Sequence, residues 1–465
     1  MQKKDINIGI GLLLFLLVFF LSSSILNQSQ SAALGTLSLM AYWWVTMCLP
    51  VGITAFMPIV VNAIFSVIDM NQLLANYGSE TVMLLLGSSM IAYSFEKTSL
   101  DKRISLHVVS RIGVSIKGQI TVWFLLAVFL SLFIPKTVAA AILLPIAVSM
   151  LKYLKEDDFS GQNGHIAGAA ILSAIVWGVG IGGTATPLGG SMNLVGISYI
   201  ETLLGREYLF AEWTSFFAPL TCLLALLCWI VILLETNTKS DLYGSKAYFK
   251  KQLAAYHAIS KQEIVCLSIF LVVILCSFSR EFYATILPNL KPAFVFLIGG
   301  LLTMIISVDK KKICTWHEME SHLLWGTVFM FAGGMALGQM IADSGITDVI
   351  ATALIEANIT NPSLLLVIMV GFTILVSELS NDTSAAAISV PLTISIFSGI
   401  GENPFPFVLV ICLAFNSSFM LPTTFRSLAV GYGLSSKYLL KKGALLTLIT
   451  WAFISIIGIL FITNV

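Results

Sequence analysis

The feature that most constrains this chain is a series of apolar runs that recur from the first residues to the last, many of them near the length of a bilayer crossing. A helix needs about 20 apolar residues to cross the hydrocarbon core, where every backbone N–H and C=O group must be satisfied within the protein. Charged residues are 11% of the sequence and hydrophobic residues are 57%, so too few polar side chains exist to cover a soluble fold. The sequence predicts an all-α polytopic membrane protein.

Some of these runs are too short for a full crossing, and others are interrupted by Pro or Gly. The connecting segments that carry Lys and Arg are assigned to the cytoplasm by the positive-inside rule. With this assignment, segments 120–134 and 138–152 must together enter the membrane and return to the same side of it. Segments 362–377 and 383–400 must do the same from outside. We therefore expect eleven transmembrane helices and two re-entrant hairpins, with the amino terminus cytoplasmic and the carboxyl terminus outside.

An internal repeat supports the two hairpins independently. Residues 136–147 read KTVAAAILLPIA and residues 382–393 read DTSAAAISVPLT, which aligns Thr137 with Thr383 at an offset of 246. The same offset relates two pairs in a separate block, Val82 with Val328 and Gly87 with Gly333. Because one hairpin enters from inside and the other from outside, the two halves are predicted to be inverted, as in many secondary transporters.

The repeat divides the chain into four parts: an N-terminal membrane helix (1–36), repeat 1 (37–235), a cytoplasmic linker (236–262) and repeat 2 (263–465). Each repeat is predicted to contain scaffold helices, a hairpin and a broken helix. The hairpin tips fall at 135–137 and 380–383, and the broken helices at 182–193 and 421–428. Irregular backbone at membrane depth requires burial or a water-filled cavity, and a helix that begins at a tip offers free N–H groups to an anion. Four matched breaks predict one anion site near the midplane.

Three stretches carry a resemblance to a known family: SNDTSAAA (380–387), GGTATPLGGSMNLV (182–195) and MLPTTFRSLAVGYG (420–433). They resemble the divalent anion:sodium symporter family, the dicarboxylate carriers also called INDY, and the resemblance extends over essentially the whole chain. It implies a homodimer in which a scaffold domain holds the dimer contact and a transport domain slides as an elevator. It also implies that the Asn and Thr residues of the tips bind substrate carboxylates, normally with two sodium ions beside them.

The sequence departs from the family at both sodium positions. The family has Ser-Asn-Thr at each tip, whereas this chain has Pro135-Lys136-Thr137 and Asn381-Asp382-Thr383. Arg426 replaces a residue that lines the second sodium site in the family. We therefore expect Lys136 and Arg426 to stand in for two sodium ions, with no metal and no cofactor. The expected substrate-binding residues are Lys136, Thr137, Gly189, Asn193, Asn381, Asp382, Thr383, Thr424 and Arg426.

The roles of three charged side chains can be interpreted in more than one way. Lys136 is compatible with a lysine that extends to the headgroups, although a charge within the membrane is a functional-site hypothesis by default. Arg426 is compatible with half of a structural ion pair, with Asp382 or Glu378 as its partner. Glu378 is compatible with a core hydrogen-bonding group, a proton carrier or a salt-bridge partner.

The resemblance and these departures favour a sodium-independent exchanger of small dianions such as succinate, malate, fumarate or 2-oxoglutarate. One carboxylate at each tip would satisfy both Thr hydroxyls, and fixed cations would strengthen the contact through charge-assisted hydrogen bonds. If the empty site moved, Lys136 and Arg426 would cross without their dianion, at roughly 2.5–3.5 kcal/mol per charge. This cost predicts obligate exchange. The alternative is a sodium- or proton-coupled symporter of dicarboxylate, citrate or sulfate.

Other classes of protein fit the sequence less well. A net charge of +1 provides no basic stripe for nucleic acid, and no Walker-type loop indicates ATP. A shared-proton hydrolase mechanism would require one neutral carboxyl, but cations beside Asp382 and Glu378 would hold both ionised. A channel would not need matched inverted hairpins. We expect a non-enzymatic, multi-pass homodimer in the cytoplasmic membrane of a bacterium, with the bilayer and a small dicarboxylate as its other partners.

Overall fold

The computed structural model describes most of the chain, namely residues 3–109, 115–157, 162–235, 242–254, 256, 258–323, 325–346, 349, 352, 356 and 360–463. Over these residues the protein is helical apart from one short antiparallel hairpin of β1 (Ser307–Val308) and β2 (Lys311–Lys312). Seven of the described helices are long and apolar enough to cross a membrane, and five shorter helices are also apolar. The predicted class, a polytopic helical membrane protein, is confirmed.

The helices of the first half follow the apolar runs closely. In chain order they are α1 (Lys3–Ser22), α2 (Gln28–Thr46), α3 (Val51–Thr54), α4 (Met57–Phe65), α5 (Met70–Ala75), α6 (Glu80–Thr98), α7 (Leu100–Val109), α8 (Ile116–Ser131), α9 (Lys136–Asp157), α10 (Gln162–Gly182), α11 (Ser191–Leu204) and α12 (Phe210–Glu235). Helix α2 begins at Gln28, before residue 37 where repeat 1 was expected to begin, because Asn27 and Gln30 form a reciprocal capping box that starts the helix.

The second half begins with a surface helix inside the predicted linker. Its helices are α13 (Ser245–Ala254), α14 (Lys261–Phe278), α15 (Arg280–Tyr283), α16 (Pro292–Ile305), α17 (Trp316–His322), α18 (Trp325–Asp343), α19 (Pro362–Leu379), α20 (Asp382–Gly399), α21 (Pro404–Ala414), α22 (Arg426–Gly431) and α23 (Ser436–Thr463). Within the predicted linker, residues 236–241, 255 and 257 lie outside the described residues.

Both predicted hairpins are present as pairs of packed helices, α8 with α9 and α19 with α20. Local chemistry fixes where each second arm begins. Helix α9 starts directly after Pro135, whose carbonyl accepts the N–H groups of Val138 and Ala139. Helix α20 starts after Asn381, whose side chain accepts the N–H of Ser384 as an N-cap. Each tip is therefore a helix N-terminus in the interior of the protein.

Both predicted broken helices are also present. The first ends at Gly182 and resumes at Ser191, and the second ends at Ala414 and resumes at Arg426. The second unwound segment starts earlier than the sequence indicated, because the polar triplet Asn416-Ser417-Ser418 begins two residues after Ala414, the last residue of α21.

Two glycines at equivalent positions of the repeat allow close helix packing. A Cβ on Gly87 of α6 would lie 2.4 Å from the backbone of α16, and a Cβ on Gly333 of α18 would lie 2.3 Å from the carbonyl of Ala55. Small residues at such crossings let membrane helices approach closely. Close helix packing therefore explains why both halves of the repeat have glycine at this position.

Candidate substrate site

The two hairpin tips and both unwound segments meet at a cavity of about 240 Å³. Three helix N-termini border it, those of α9, α20 and α11. The N–H groups in the first turn of a helix have no intrahelical acceptor, and each N-terminus presents about half a positive charge. The wall opposite the tips comes from other helices and consists of Met47, Val51, Leu85, Ser88, Ser89, Thr327 and Met330. The cavity is therefore suited to a small anion.

Lys136 and Asp382 form a buried ion pair that joins the two tips. Lys136 Nζ lies 2.8 Å from Asp382 Oδ2, and the two side chains are 5% and 7% exposed. The same ammonium donates to Asn416 Oδ1 at 2.8 Å. The other carboxylate oxygen of Asp382 accepts from the hydroxyls of Ser377 and Ser418, both at 2.9 Å. The ammonium has three donors, so one remains for a substrate oxygen at the cavity edge.

Asn193 connects this pair to the first unwound segment. Its amide nitrogen donates to the carbonyls of Gly183 at 2.6 Å and Thr186 at 2.8 Å. Its oxygen accepts from Asn416 Nδ2 at 3.0 Å, and Asn416 in turn holds Lys136. Asn193 is fully buried and is not among the residues that line the cavity. It therefore positions the loop and Lys136 instead of contacting the cavity.

Arg426 lies behind the cavity and is fully buried. Its Nε donates to the carbonyl of Leu421 at 2.7 Å, and its Nη1 donates to the carbonyl of Ser418 at 2.8 Å. Further bonds go to the Ser418 hydroxyl and to Thr423 Oγ1. The ring of Phe425, which does line the cavity, contacts both cations, with Arg426 and Lys136 5.2 and 5.9 Å from its centre. The guanidinium thus holds the second unwound segment together.

The carboxylate of Glu378 accepts hydrogen bonds from the backbone of the second unwound segment, as a bound anion would. Its carboxylate accepts the consecutive backbone N–H groups of Phe419, Met420 and Leu421, the last two at 2.8 and 3.0 Å. It also accepts from Thr447 Oγ1 at 3.2 Å and lies 3.9 Å from Arg426 Nη2. Of the three interpretations that the sequence left open, hydrogen bonding within the core and ion pairing both describe this geometry.

The four buried charges balance one another. Lys136 is paired with Asp382, and Arg426 has Glu378 as its nearest carboxylate. The expectation that two uncompensated cations stand in the empty site is therefore wrong for this structure. The sequence suggested Asp382 or Glu378 as partner for Arg426, whereas Asp382 reaches Arg426 only through the Ser418 hydroxyl.

The hydroxyl groups at the cavity differ in their hydrogen bonding. Thr383 Oγ1 lies 2.7 Å from Ser191 Oγ, a contact that bridges the two halves, while Thr137 is exposed. Thr424 has a φ of 51°, which is rare for a β-branched residue. Its hydroxyl is buried without a partner among the described residues. A strained residue with an unused hydroxyl at a cavity wall is a common property of ligand-binding sites.

Six of the nine sequence-predicted residues line the cavity, namely Lys136, Thr137, Asn381, Asp382, Thr383 and Thr424. The other three, Gly189, Asn193 and Arg426, lie behind it and shape the unwound segments. Sequence reasoning missed four polar side chains of the network: Ser191, Ser377, Asn416 and Ser418. A signal for the last two was available, because three consecutive polar residues interrupt an otherwise apolar run.

Gly189 lies where the backbone of the first unwound segment passes close to Gly183, and a substitution there tests this close approach. A Cβ at this position would lie 2.2 Å from the Gly183 carbonyl oxygen and 2.4 Å from its Cα. Because this is contact with backbone, it is not relieved by rotating a side chain. We expect Gly189→Ala to lower the thermal unfolding midpoint and abolish transport, whereas Gly168→Ala, whose Cβ would meet Leu151 at an ordinary 3.5 Å, should do neither. Equal stability and transport in both variants would contradict this geometry.

A polar cavity enclosed by two re-entrant hairpins and two broken helices is the architecture of a membrane transporter. The chain belongs to the family described as the sodium:sulfate symporter transmembrane region, whose model matches residues 2–464. The prediction of a multi-pass transporter that is not an enzyme is thereby confirmed, as is the family resemblance.

Two Staphylococcus proteins named sodium-dependent dicarboxylate transporter SdcS are similar to this chain. The protein of Staphylococcus saprophyticus subsp. saprophyticus is 25% identical over 463 residues, which covers 95% of this chain and 89% of the relative. The protein of Staphylococcus aureus strain NCTC 8325 is 25% identical and covers 95% and 88%. The crystal structure of the Alcanivorax borkumensis YdaH transporter aligns with a TM-score of 0.53 at 15% identity, over 84% of this chain and 87% of that one. The last likeness shows the fold alone.

Proposed function

We propose that this protein exchanges four- or five-carbon dicarboxylates, such as succinate, malate, fumarate and 2-oxoglutarate, across the bacterial cytoplasmic membrane without sodium. The observation that carries the proposal is that protein cations already occupy the oxygen-rich positions beside both tips. Lys136 Nζ lies between a carboxylate oxygen and an amide oxygen. The Arg426 guanidinium takes up two backbone carbonyls and two hydroxyls of the second unwound segment.

These contacts support sodium independence directly. A sodium ion at either position would need the same oxygen ligands that now accept N–H donors, and it would stand within bonding distance of a fixed positive charge. Like charges this close repel strongly in a low-dielectric interior. The two positions that the family resemblance assigns to mobile cations are therefore proposed to be filled permanently by Lys136 and Arg426.

The cavity supports a dianion with a carboxylate at each end. The N-termini of α9 and α20 approach it from opposite hairpins, each with a threonine, Thr137 and Thr383, in its first turn. A first carboxylate is proposed to take the unused donor of Lys136 and the Thr137 hydroxyl. The second is proposed to bind Thr383 and Asn381. The unpartnered Thr424 hydroxyl then supplies one further donor.

The electrostatic cost of moving the empty site, which favours exchange, is smaller than the sequence suggested. The four buried side chains cancel, so what the empty site leaves without partners is the N–H groups at three helix N-termini, each equivalent to about half a positive charge. Moving these unsatisfied N–H groups through the barrier without an anion is unfavourable, so we propose that the return of the empty site is slow. A bound dianion offsets this charge, which is why only the loaded forms are proposed to cross.

The second candidate is sodium-dependent dicarboxylate uptake, which the names of the Staphylococcus relatives favour. In that case sodium would displace Lys136 from its oxygen ligands or bind elsewhere in the cavity. The remaining parts of the proposal are common to both candidates: a homodimer, an elevator-type movement, a cytoplasmic amino terminus and an external carboxyl terminus. With that orientation, the cavity lies near the cytoplasmic ends of α2 and α18, so the site faces the cytoplasm.

The experiment is uptake of labelled succinate into proteoliposomes that contain the purified protein. Uptake should require unlabelled dicarboxylate inside the vesicles and should be unchanged when choline replaces sodium. Accumulation in vesicles without internal dicarboxylate, driven by a sodium gradient, would establish the second candidate instead. Stimulation by internal sulfate or citrate, with no effect of succinate, would overturn the substrate class.

Thr137 and Thr383 test the proposed positions of the two carboxylates. Each of Thr137→Ala and Thr383→Ala should weaken the apparent affinity for succinate by roughly 1 kcal/mol, about fivefold, because each removes one hydroxyl donor. Thr393→Ala is the matched control, since its hydroxyl bonds to the Ser389 carbonyl within α20 and not to the cavity. Wild-type affinity in both tip variants would contradict the assignment.

A further inference from the structure

The short hairpin of β1 and β2 carries a cluster of positive charge. It follows α16 and contains three consecutive exposed lysines, Lys310, Lys311 and Lys312. Both residues of its two-residue turn have positive φ, 50° for Asp309 and 63° for Lys310, as a type I′ turn requires. Lys311 and Lys312 are adjacent on β2, so their side chains point to opposite faces. Positive charge therefore lies on both faces of the hairpin and at its turn.

The acidic residues of the hairpin and of α17, the helix that follows it, are already engaged by other side chains. The pairs are Lys261 with Asp309, Lys97 with Glu318 and His317 with Glu320. Among the described residues, none of the three hairpin lysines has a carboxylate partner. The hairpin therefore presents three positive charges that the described part of the protein does not neutralise.

Two stripes of exposed apolar side chains lead to this hairpin. They consist of Ile298, Leu301 and Ile305 on α16, and of Ile264, Leu271, Val272 and Leu275 on α14. Within each stripe the spacing is that of one helix face. Helices α14 and α16 pack against each other, and the pair of Lys261 with Asp309 brings the start of α14 to the end of α16. The two helices are therefore antiparallel, and the lysine cluster lies at one end of their exposed apolar surface.

Two tryptophans indicate the depth of the hairpin in the membrane. Trp316, the first residue of α17, is 54% exposed, and Trp325, the first residue of α18, is 38% exposed with its indole N–H bonded to the Glu320 carbonyl. Exposed tryptophan is enriched at the level of the lipid headgroups. In the proposed orientation this is the cytoplasmic leaflet, whose anionic lipids attract basic segments.

We propose that the hairpin and the exposed faces of α14 and α16 form a binding site for anionic phospholipids. The headgroup phosphates contact Lys310, Lys311 and Lys312, and the acyl chains lie along the two apolar stripes. Charge on both faces and at the turn suits a layer of headgroups better than an acidic peptide, which would cover one face. No described residue of the hairpin, α14 or α16 lines the substrate cavity, so the inference does not depend on the identity of the substrate.

The test is photolabelling of the full chain in phosphatidylcholine vesicles with a trace of phosphatidylglycerol that carries a diazirine in its acyl chain. The same probe with a phosphatidylcholine headgroup is used in parallel, and labelled peptides are identified by mass spectrometry. We expect the anionic probe to label the exposed faces of α14 and α16 about tenfold more than the neutral probe, because each nearby lysine attracts the anionic headgroup. Lys310→Gln/Lys311→Gln/Lys312→Gln should abolish this preference, and the corresponding triple arginine variant should retain it.

The matched control is Lys246→Gln/Lys250→Gln/Lys251→Gln. It removes the same charge from exposed positions on α13, which packs on α7 and α9, so it should leave the labelling of α14 and α16 unchanged. An equal loss in this control would overturn the site, because the attraction would then belong to the whole surface. Equal labelling by both probes in the wild type would overturn the lipid assignment and favour an acidic protein segment as the occupant. Absence of label from both faces would mean that a second copy of the chain covers them.

Discussion

Replacing Lys136 with methionine is expected to lower dicarboxylate exchange by at least about a hundredfold. Lys136 is the only cationic side chain among the described residues that line the cavity, and it holds Asp382 and Asn416 in place. Its removal leaves the Asp382 carboxylate buried without a cation, a change that costs about 3–5 kcal/mol when a buried pair is broken. The measurement is counterflow of labelled succinate, normalised to the amount of folded protein in the vesicles.

Two further variants separate charge balance from substrate binding. Lys136→Met/Asp382→Asn removes both charges, so it should recover most of the lost thermal stability without recovering exchange. Asp382→Asn alone should leave Lys136 unpaired and strengthen anion binding while it destabilises the empty protein. Exchange at the wild-type rate in Lys136→Met would show that this pair is merely structural.

Replacing Glu378 with alanine is expected to destabilise the protein by about 3–5 kcal/mol, because it breaks a buried charge pair. Three consecutive backbone N–H groups and the Thr447 hydroxyl lose their acceptor, and Arg426 loses its nearest carboxylate. The measurement is the thermal unfolding midpoint in detergent, where a large drop is expected together with loss of transport.

Thr447→Val is the matched control for Glu378. It removes only the hydroxyl bond to the same carboxylate, so the expected loss is about 1 kcal/mol. A midpoint for Glu378→Ala no lower than that of Thr447→Val would mean that the carboxylate does not hold the second unwound segment.

The hairpins and broken helices could be predicted from sequence because their causes are local. Pro135 and Asn381 each start a helix at a polar interruption in an apolar run, and residues 183–190 do not continue as a regular α-helix. The repeat offset then placed the two tips in equivalent positions. Five of the six predicted site residues that line the cavity are tip residues, and a tip residue at a helix N-terminus has little freedom to face elsewhere.

The pairing of the charges could not be predicted in the same way. Whether Arg426 faces the cavity or the loop depends on how α22 is rotated against the unwound segment 415–425, which is a tertiary property. The sequence presents Lys136 and Arg426 as two similar cations, yet one lines the cavity and the other bonds to the carbonyls of its own loop. Asn416 was missed because its role depends on contacts with Asn193 and Lys136 that are far away in sequence.

The most direct test of the account is the affinity of the purified protein for succinate, measured calorimetrically with sodium present and with sodium fully replaced by choline at constant ionic strength. If Lys136 and Arg426 permanently occupy the cation positions, the dissociation constant should be the same in both solutions. An affinity that rises steeply with sodium concentration would contradict the account, because it would show that mobile cations complete the site.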